Sequence, residues 1–479
     1  MKKTQLFAVT ALTTLMAVTG CGKKTDNRIK IEWKSTFSYE EQINSLIEDF
    51  EKENPDIHVV YTKLSSDYTG LKDNVISGIG ANNLPNIVSC YPDHIAEYLD
   101  YGIVQKLDNY MNSDEDYGWS EEDYADMLPS LMAPCSNFAS KGTYMLPHSS
   151  STEAMFYNEQ ILGLKLTYKD ADGVEHKING DEGITHSYLN NITWEELLGV
   201  VAPALLKYNA EHENALLKVG ETDHSAVVAY SGADNAFVTF CEEQEQQFSE
   251  IDKSTGNGKL LFNDTRVMKD TLKQFNGYYR DRLFTTAGIE GEKNLNCNEN
   301  FWAIFATGST GGIKYQVPKG GEFSTGVMRL PNFAGKPHKV ISQGPGLCVL
   351  KTGTDEQKLA SYKFINFLNQ PENTLYWSLE TGYFPVRSSC YLSDQYIDAC
   401  NTKDKAEASL ELLKAKVFTY ASTVQNDFFT NVPFKGSADA RTLVGSLLNK
   451  CVGQKTAITD SMLDTEFANT VNEIKKKMA

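Results

Sequence analysis

The chain has 479 residues, 41% hydrophobic and 23% charged, with a formal net charge of −18. This is a globular composition, and the length accommodates two large domains or three small ones, each with a core of its own. The acidic balance repels phosphate backbones and anionic headgroups, so it speaks against a nucleic-acid partner or charge-driven membrane binding and suits a neutral ligand.

Lys2 and Lys3 precede an apolar run over 6–18. That order reads as a secretory signal, and the run is too short to cross a bilayer as a helix. Val18-Thr19-Gly20-Cys21 resembles the bacterial lipobox. The resemblance implies cleavage ahead of Cys21, acylation of its sulfur and amine, and anchoring at the outer face of the cell membrane. Residues 1–20 are then the signal and 21–28 a tether; the alternative is an ordinary signal peptide with an incidental cysteine. The other cysteines are Cys90, Cys135, Cys241, Cys297, Cys348, Cys390, Cys400 and Cys451. Their spacings match no metal pair and no regular disulfide framework. Cys90 and Cys348 lie in apolar strand-like runs and read as buried thiols.

Ile29, Ile31 and Trp33 alternate with Lys30 and Glu32 as in a half-buried strand, and Ile43, Leu46, Ile47 and Phe50 share one face of a helix that stops at Asn54-Pro55. A strand over 57–61, a helical stretch around Ile76, a β-branched run over 86–91 and a helix over 93–100 ended by Gly102 complete a βαβαβ opening. Such an opening predicts parallel strands flanked by helices. Tyr91 and Asp93 follow the third strand at its C-terminal end, where clefts of open α/β sheets form, although Asp93 also suits the cap of the next helix.

Leu166, Tyr168, Val174, His176 and Ile178 alternate around Asp172-Gly173, a hairpin signal. Thr193-Trp194-Glu195-Glu196 reads as a capping box, with Glu196 reaching back to open a helix carrying Leu197, Leu198 and Val201. Phe301, Trp302 and Phe305 are spaced like a helix face, and Gly344-Pro345-Gly346 precedes an apolar strand over 347–350. Leu359, Tyr362, Phe364, Ile365 and Leu368 pattern a helix ended by Gln370-Pro371; Leu443, Leu447 and Leu448 pattern another. Internal repeats are absent, which excludes solenoids.

Signatures of chemistry are wanting. His212-Glu213-Asn214-Ala215-Leu216 lacks the second histidine of a helical zinc site, and Gly308-Ser309-Thr310-Gly311 lacks the preceding glycine of a nucleophile elbow. There is no P-loop lysine and no dinucleotide fingerprint, so no cofactor and no metal is expected. Acidic residues are plentiful, which keeps a secreted carbohydrate-active hydrolase with a carboxylate pair as an alternative. A surface adhesin or sensor lipoprotein is another.

Five segments in order resemble the family 1 extracellular solute-binding proteins of ABC importers, the carbohydrate-uptake group. They are IEDFEKENPDIHVVY over 47–61, LPNIVSCYPDHIAEYLDYGIVQKLDNY over 84–110, YMLPHSSSTEAMFYNEQIL over 144–162, ITWEELL over 192–198, and YKFINFLNQPENTLYWSLETGYFPVR over 362–387. The resemblance implies a periplasmic-binding-protein-like α/β fold, two lobes joined by crossing strands, with a ligand cleft that closes by hinge motion. Lobe 1 is expected to begin with 29–147, 148–345 to be mostly lobe 2 with a hairpin insertion at about 165–180, and 346–479 to form a helical part shared between lobes. It implies a lipoprotein, acting as a monomer, that captures a sugar, oligosaccharide or polyol and passes it to permease subunits driven by a cytoplasmic ATPase, without catalysis.

Tyr39 and Tyr68 match positions where the family faces ligand, the alternative being solvent-exposed tyrosines. Ser150 and Ser151, in the crossover, suit ligand hydroxyls or turn bonds to their own backbone. Trp302 is a candidate stacking platform or a core residue, Gly344 a site of close backbone approach or a plain turn glycine, and Tyr383, in the Thr-Gly-Tyr turn, a stacking ring or a packing one. Trp33 and Trp377 read as core. Ser-Ser-Thr at 150–152 also resembles the family's glycerol-phosphate branch, which places an arginine soon after a Pro-Phe-x-x-Gly-like turn. Here Pro433-Phe434-Lys435-Gly436 is followed only later by Arg441. Phosphate binding is therefore a further alternative, with Arg441 either its ligand or a solvated helix residue.

Overall fold

The alternation at the N-terminus produces three parallel strands, Ile29–Ser35 pairing with Ile57–Lys63 on one side and Ile87–Cys90 on the other. They belong to a computed structural model that describes residues 26–65, 67–81, 83–212, 216–217, 225–252, 255–295, 303–401 and 409–479. The signal, Cys21, Cys297 and Trp302 lie outside the described residues. The helix Glu40–Glu53 buries Ile43, Leu46, Ile47 and Phe50, and its backbone turns out at Asn54, ahead of Pro55. The strand Gly346–Val349 then enters antiparallel to Ile87–Cys90 and carries Leu146–Pro147 at the edge, so the first sheet is mixed, not wholly parallel. Helices Asp355–Leu368 and Pro371–Thr381 contribute Phe364 and Trp377 to the same core as Trp33 and Phe50.

The second lobe is built on Ser151–Asn158, buried along its whole length. Phe305–Ser309 and Thr325–Met328 pair with it antiparallel, as does Val340–Gln343. Val228–Tyr230 and Phe284–Thr286 extend the sheet beyond Phe305–Ser309. Helices Ala233–Glu243, Val267–Arg280, Leu410–Val424, Ser437–Val452 and Asp460–Met478 cover it, sharing one core around Trp194, Phe237, Phe275 and Phe467.

Three local expectations change. Phe305 lies in a strand, registered against Val228 and Tyr157, because pairing on both edges outweighs its helix-like spacing. Thr193 accepts from the Glu196 amide at 3.2 Å, but the Glu196 carboxylate accepts from the Tyr188 hydroxyl at 2.6 Å, so only half of the capping box forms. The helix continues through a π turn, Leu197–Val201, which relieves the clash and the missing amide of Pro203. The hairpin pairs Thr167–Lys169 with Glu175–Lys177, yet its connection is longer than two residues, with the Asp170 carboxylate accepting from the amides of Asp172 and Val174.

The chain passes between the two sheets at 147–151, again at 343–346, and a third time beyond Arg387, through Ser388–Tyr391 and Asp394–Cys400. The first two passes touch. Gly344 has φ +123°, and a Cβ there would stand 1.8 Å from the Ser149 carbonyl oxygen. Ser149 also donates its amide to Pro345 at 3.1 Å and accepts the Trp377 indole N–H at 2.9 Å. Every described cysteine is a free thiol, and Cys90 and Cys348 are fully buried on adjacent strands. Among the described residues no helix is long and apolar enough to cross a membrane.

The contact at Gly344 leaves no room for a side chain. Gly344→Ala is expected to destabilise the protein by roughly 2–4 kcal/mol in urea unfolding, and an unchanged midpoint would contradict this account of the crossing.

Candidate functional site

The C-terminal ends of the first-lobe strands open toward the second lobe. Ser35 leads to Phe37 and Tyr39, Lys63 to Tyr68, and Cys90 to Tyr91 and Asp93, which is where an α/β sheet exposes a crevice. The turn after Pro371–Thr381 adds Tyr383, its ring parallel to Trp377 at 6.3 Å. Tyr39 meets the same indole edge-on at 5.5 Å, and Tyr68 meets Tyr91 edge-on at 4.8 Å. Burial drives the Tyr68 hydroxyl well above its ordinary pKa and pushes Tyr91 up to about 12, the latter opposed by the positive charge of Arg441.

The facing wall belongs to the second lobe. A Cβ on Gly311 would come within 2.9 Å of the Tyr383 ring, so the missing side chain is what admits the ring. Arg441, on Ser437–Val452, donates to Asn235 Oδ1 at 2.6 Å and to Asp234 at 3.1 Å, both in the first turn of Ala233–Glu243. Its other terminal nitrogen reaches Asp93 in the first lobe at 3.4 Å. Burial works against the guanidinium charge, but Asp93 and Asp234 outweigh it and hold the pKa above its usual value. A second ion pair across the lobes joins Lys435 to Asp100 at 3.5 Å.

Between the walls and the crossing segments lies a cavity of about 60 Å³, lined in part by Tyr91, Asp93, His148, Ser150, Gly344 and Arg441. The ion pairs Arg441–Asp93 and Lys435–Asp100 bridge the two walls beside it, so the lobes are closed onto each other here. His148 is packed among Trp377, Phe37 and Trp33 at ring distances of 4.9, 5.8 and 6.0 Å. Burial lowers its pKa to about 3, so the ring is neutral. Both His148 ring nitrogens, Arg441 Nε and Asn431 Nδ2, all on residues that line this cavity, are buried without a hydrogen-bond partner among the described residues. Each such atom costs about 1–3 kcal/mol, and a concentration of them around one cavity is the mark of a polar ligand site.

The structure thus brings Tyr39, Tyr68, Tyr91, Asp93, Tyr383 and Arg441 together at the lobe boundary, and Arg441 is not a solvated helix residue. Ser150 and Ser151 stand in the crossing, their backbones joined to Phe384 and Gln343. The open side of Gly344 faces the Ser149 carbonyl. Trp302 lies outside the described residues. Sequence reasoning missed His148, Asp234, Asn235 and Asn431. Asp234 and Asn235 follow the strand Val228–Tyr230 as Asp93 follows its own, so the same strand-end rule finds them once that strand is read. No group of three or more potential metal ligands occurs among the described residues.

The sequence profile of the bacterial extracellular solute-binding proteins matches residues 45–403. The chain is 24% identical over 381 residues to the multiple sugar-binding protein of Streptococcus mutans, covering 77% of this chain and 78% of that one. It is 23% identical over 365 residues to the sn-glycerol-3-phosphate-binding periplasmic protein UgpB of Shigella flexneri, covering 73% and 72%. The crystal structure of UgpB from Mycobacterium tuberculosis in complex with glycerophosphocholine superposes with a TM-score of 0.66 at 17% identity, over 94% of this chain and 98% of the other.

The buried histidines set a pH response. His94 and His148 stay neutral in the fold down to about 4 and about 3, whereas the unfolded chain protonates them near 6.5. Their contribution to stability is full above pH 6.5 and is lost as the pH falls toward those values. His148→Phe, which removes two partnerless nitrogens, is expected to keep or raise the melting temperature at pH 7 and to flatten its decline between pH 6.5 and 4; an unaltered slope would contradict the burial of a neutral ring.

Proposed function

Because the chain belongs to the family of bacterial extracellular solute-binding proteins, we propose that it captures an uncharged sugar, oligosaccharide or related polyol outside the cytoplasm. It passes that solute to an ABC permease, and the acylated Cys21 holds it at the membrane. The observation that carries this reading is the convergence, between two lobes, of partnerless buried polar atoms beside tyrosine rings. A pyranose offers C–H faces to such rings and hydroxyls to such atoms. One chain supplies both walls, so the reading requires no second copy. Entry of a solute larger than the present cavity requires the lobes to part, which breaks Arg441–Asp93 and Lys435–Asp100 and leaves the crossings in place. No nucleophile or paired acid and base is assigned, and the solute leaves unchanged.

A second reading, capture of a glycerophosphodiester, is favoured by the presence of Arg441 in the cleft. It ranks behind the first because Asp93 and Asp234 already flank that guanidinium and would repel a phosphate.

Calorimetry on the chain lacking residues 1–20, against mono- and oligosaccharides, polyols and glycerophosphodiesters, decides between them. The expected result is binding of a sugar or polyol at micromolar affinity, about −8 kcal/mol, with the ligand recovered intact. Tyr383→Ala is expected to weaken it about tenfold through loss of the stacking ring. Hydrolysed ligand would overturn the reading, and selective binding of a glycerophosphodiester would replace it with the second.

A further inference from the structure

Behind the Arg441 wall lies a carboxylate that the binding scheme above does not use. Glu153 is on the central strand Ser151–Asn158 and is only 2% exposed. Its Oε2 accepts from the Tyr230 hydroxyl at 2.6 Å, and its Oε1 from Asn235 Nδ2 at 3.0 Å. Asn235 Nδ2 also donates to Gln343 Oε1 at 3.1 Å, and Asn235 Oδ1 accepts from Arg441 at 2.6 Å.

The donor and acceptor inventory permits one arrangement. A carboxylate accepts only and a guanidinium donates only, so an amide lying between them must turn its nitrogen to Glu153 and its oxygen to Arg441. Gln343, at the second crossing, takes the remaining amide hydrogen. The orientation of Asn235 is thereby set by an acceptor that is buried out of the cleft, and the direction of the Arg441 fork is set by Asn235. Asp234 and Asp93 also accept from the guanidinium, at 3.1 and 3.4 Å, but the bond to Asn235 Oδ1, at 2.6 Å, is the shortest of the three and the one whose acceptor is itself held by a buried partner.

We infer that Glu153 is a positioning residue for solute specificity: through the Asn235 amide it fixes where, and in which direction, the Arg441 guanidinium meets the cleft. This rests on the reading of the cleft as a solute site. The groups facing Glu153 are Tyr230, Asn235, Asp234, Arg441 and the Tyr420 ring, whose hydroxyl donates to the Glu153 carbonyl at 2.8 Å. Burial raises the Glu153 pKa to about 7, against the two hydrogen bonds that favour its charge. Below that pH the carboxyl is neutral and accepts more weakly from the Asn235 amide, so the hold that Glu153 exerts on Asn235, and through it on Arg441, loosens.

Glu153→Gln reproduces the shape without the charge and offers Asn235 a donor as well as an acceptor. Two readouts on the chain lacking residues 1–20 test the inference. In the ligand-free protein, labelled with ¹⁵N-arginine, the Nε–H signal of Arg441, identified by its loss in Arg441→Lys, is expected to be sharp and slow to exchange in the wild type and broadened in Glu153→Gln. In calorimetry with maltose and with glycerophosphocholine as probes, the wild-type affinity for whichever probe binds is expected to fall about tenfold from pH 8 to 6, with Glu153→Gln weak and flat across that range. Asn235→Ala, which leaves Glu153 in place, is expected to broaden the same signal, and the double variant to lose no more affinity than either single one. An unchanged Arg441 signal in Glu153→Gln, or affinities within about twofold of wild type at both pH values, would overturn the inference. If neither probe binds the wild type, the arginine signal still decides the positioning role, and only the solute reading is weakened.

Discussion

The cleft depends on the contact between the two central crossings. With Gly344 against the Ser149 carbonyl, and Ser149 fastened to both Pro345 and Trp377, the floor between the lobes is held by backbone and by a buried indole. A loose floor would let the tyrosines of one lobe slide past Arg441 of the other. A tight floor confines relative motion to rotation about it, so that residues far apart in the chain meet in one way when the lobes close.

Closure itself rests on weaker links. Arg441 and Asp93 retain side-chain exposures of 18% and 9% in the closed form, and opening returns both to water. The desolvation cost of a buried pair roughly offsets its attraction, so this pair aligns the lobes without locking them. The larger stabilisation comes from within each lobe, where Trp33 and Trp377 on one side and Trp194 on the other are fully packed. The lobes can therefore behave as rigid bodies while the boundary between them stays adaptable. The atoms left without partners at that boundary are the ones a hydroxyl-rich guest can satisfy, which couples binding to closure.

How much of this could be read in advance follows from the range of each interaction. The βαβαβ opening was legible because Ile43, Leu46, Ile47 and Phe50 declare a helix face locally, and Asn54-Pro55 declares its end. Tyr91 and Asp93 were legible as cleft residues because a strand end is a local feature. The antiparallel entry of Gly346–Val349 beside Ile87–Cys90 was not, since an apolar run carries no label for its partner. Arg441 showed only a helical context. Its place against Asp93, 348 residues earlier, is a tertiary fact. His148 gave no signal at all, because a lone histidine beside a proline looks alike whether it is buried or exposed. Glu153 was hidden in the same way: between Thr152 and Ala154 it reads as a polar interruption of an apolar strand, and only the Tyr230 and Asn235 contacts give it a purpose.

The most direct test of two bodies closing on a guest is small-angle X-ray scattering of the chain lacking residues 1–20, with and without a ligand that calorimetry has shown to bind. The account requires the radius of gyration and maximum dimension to fall on saturation, to values matching the closed form described above. Saturating ligand that leaves the scattering curve of an already open particle unchanged would contradict it.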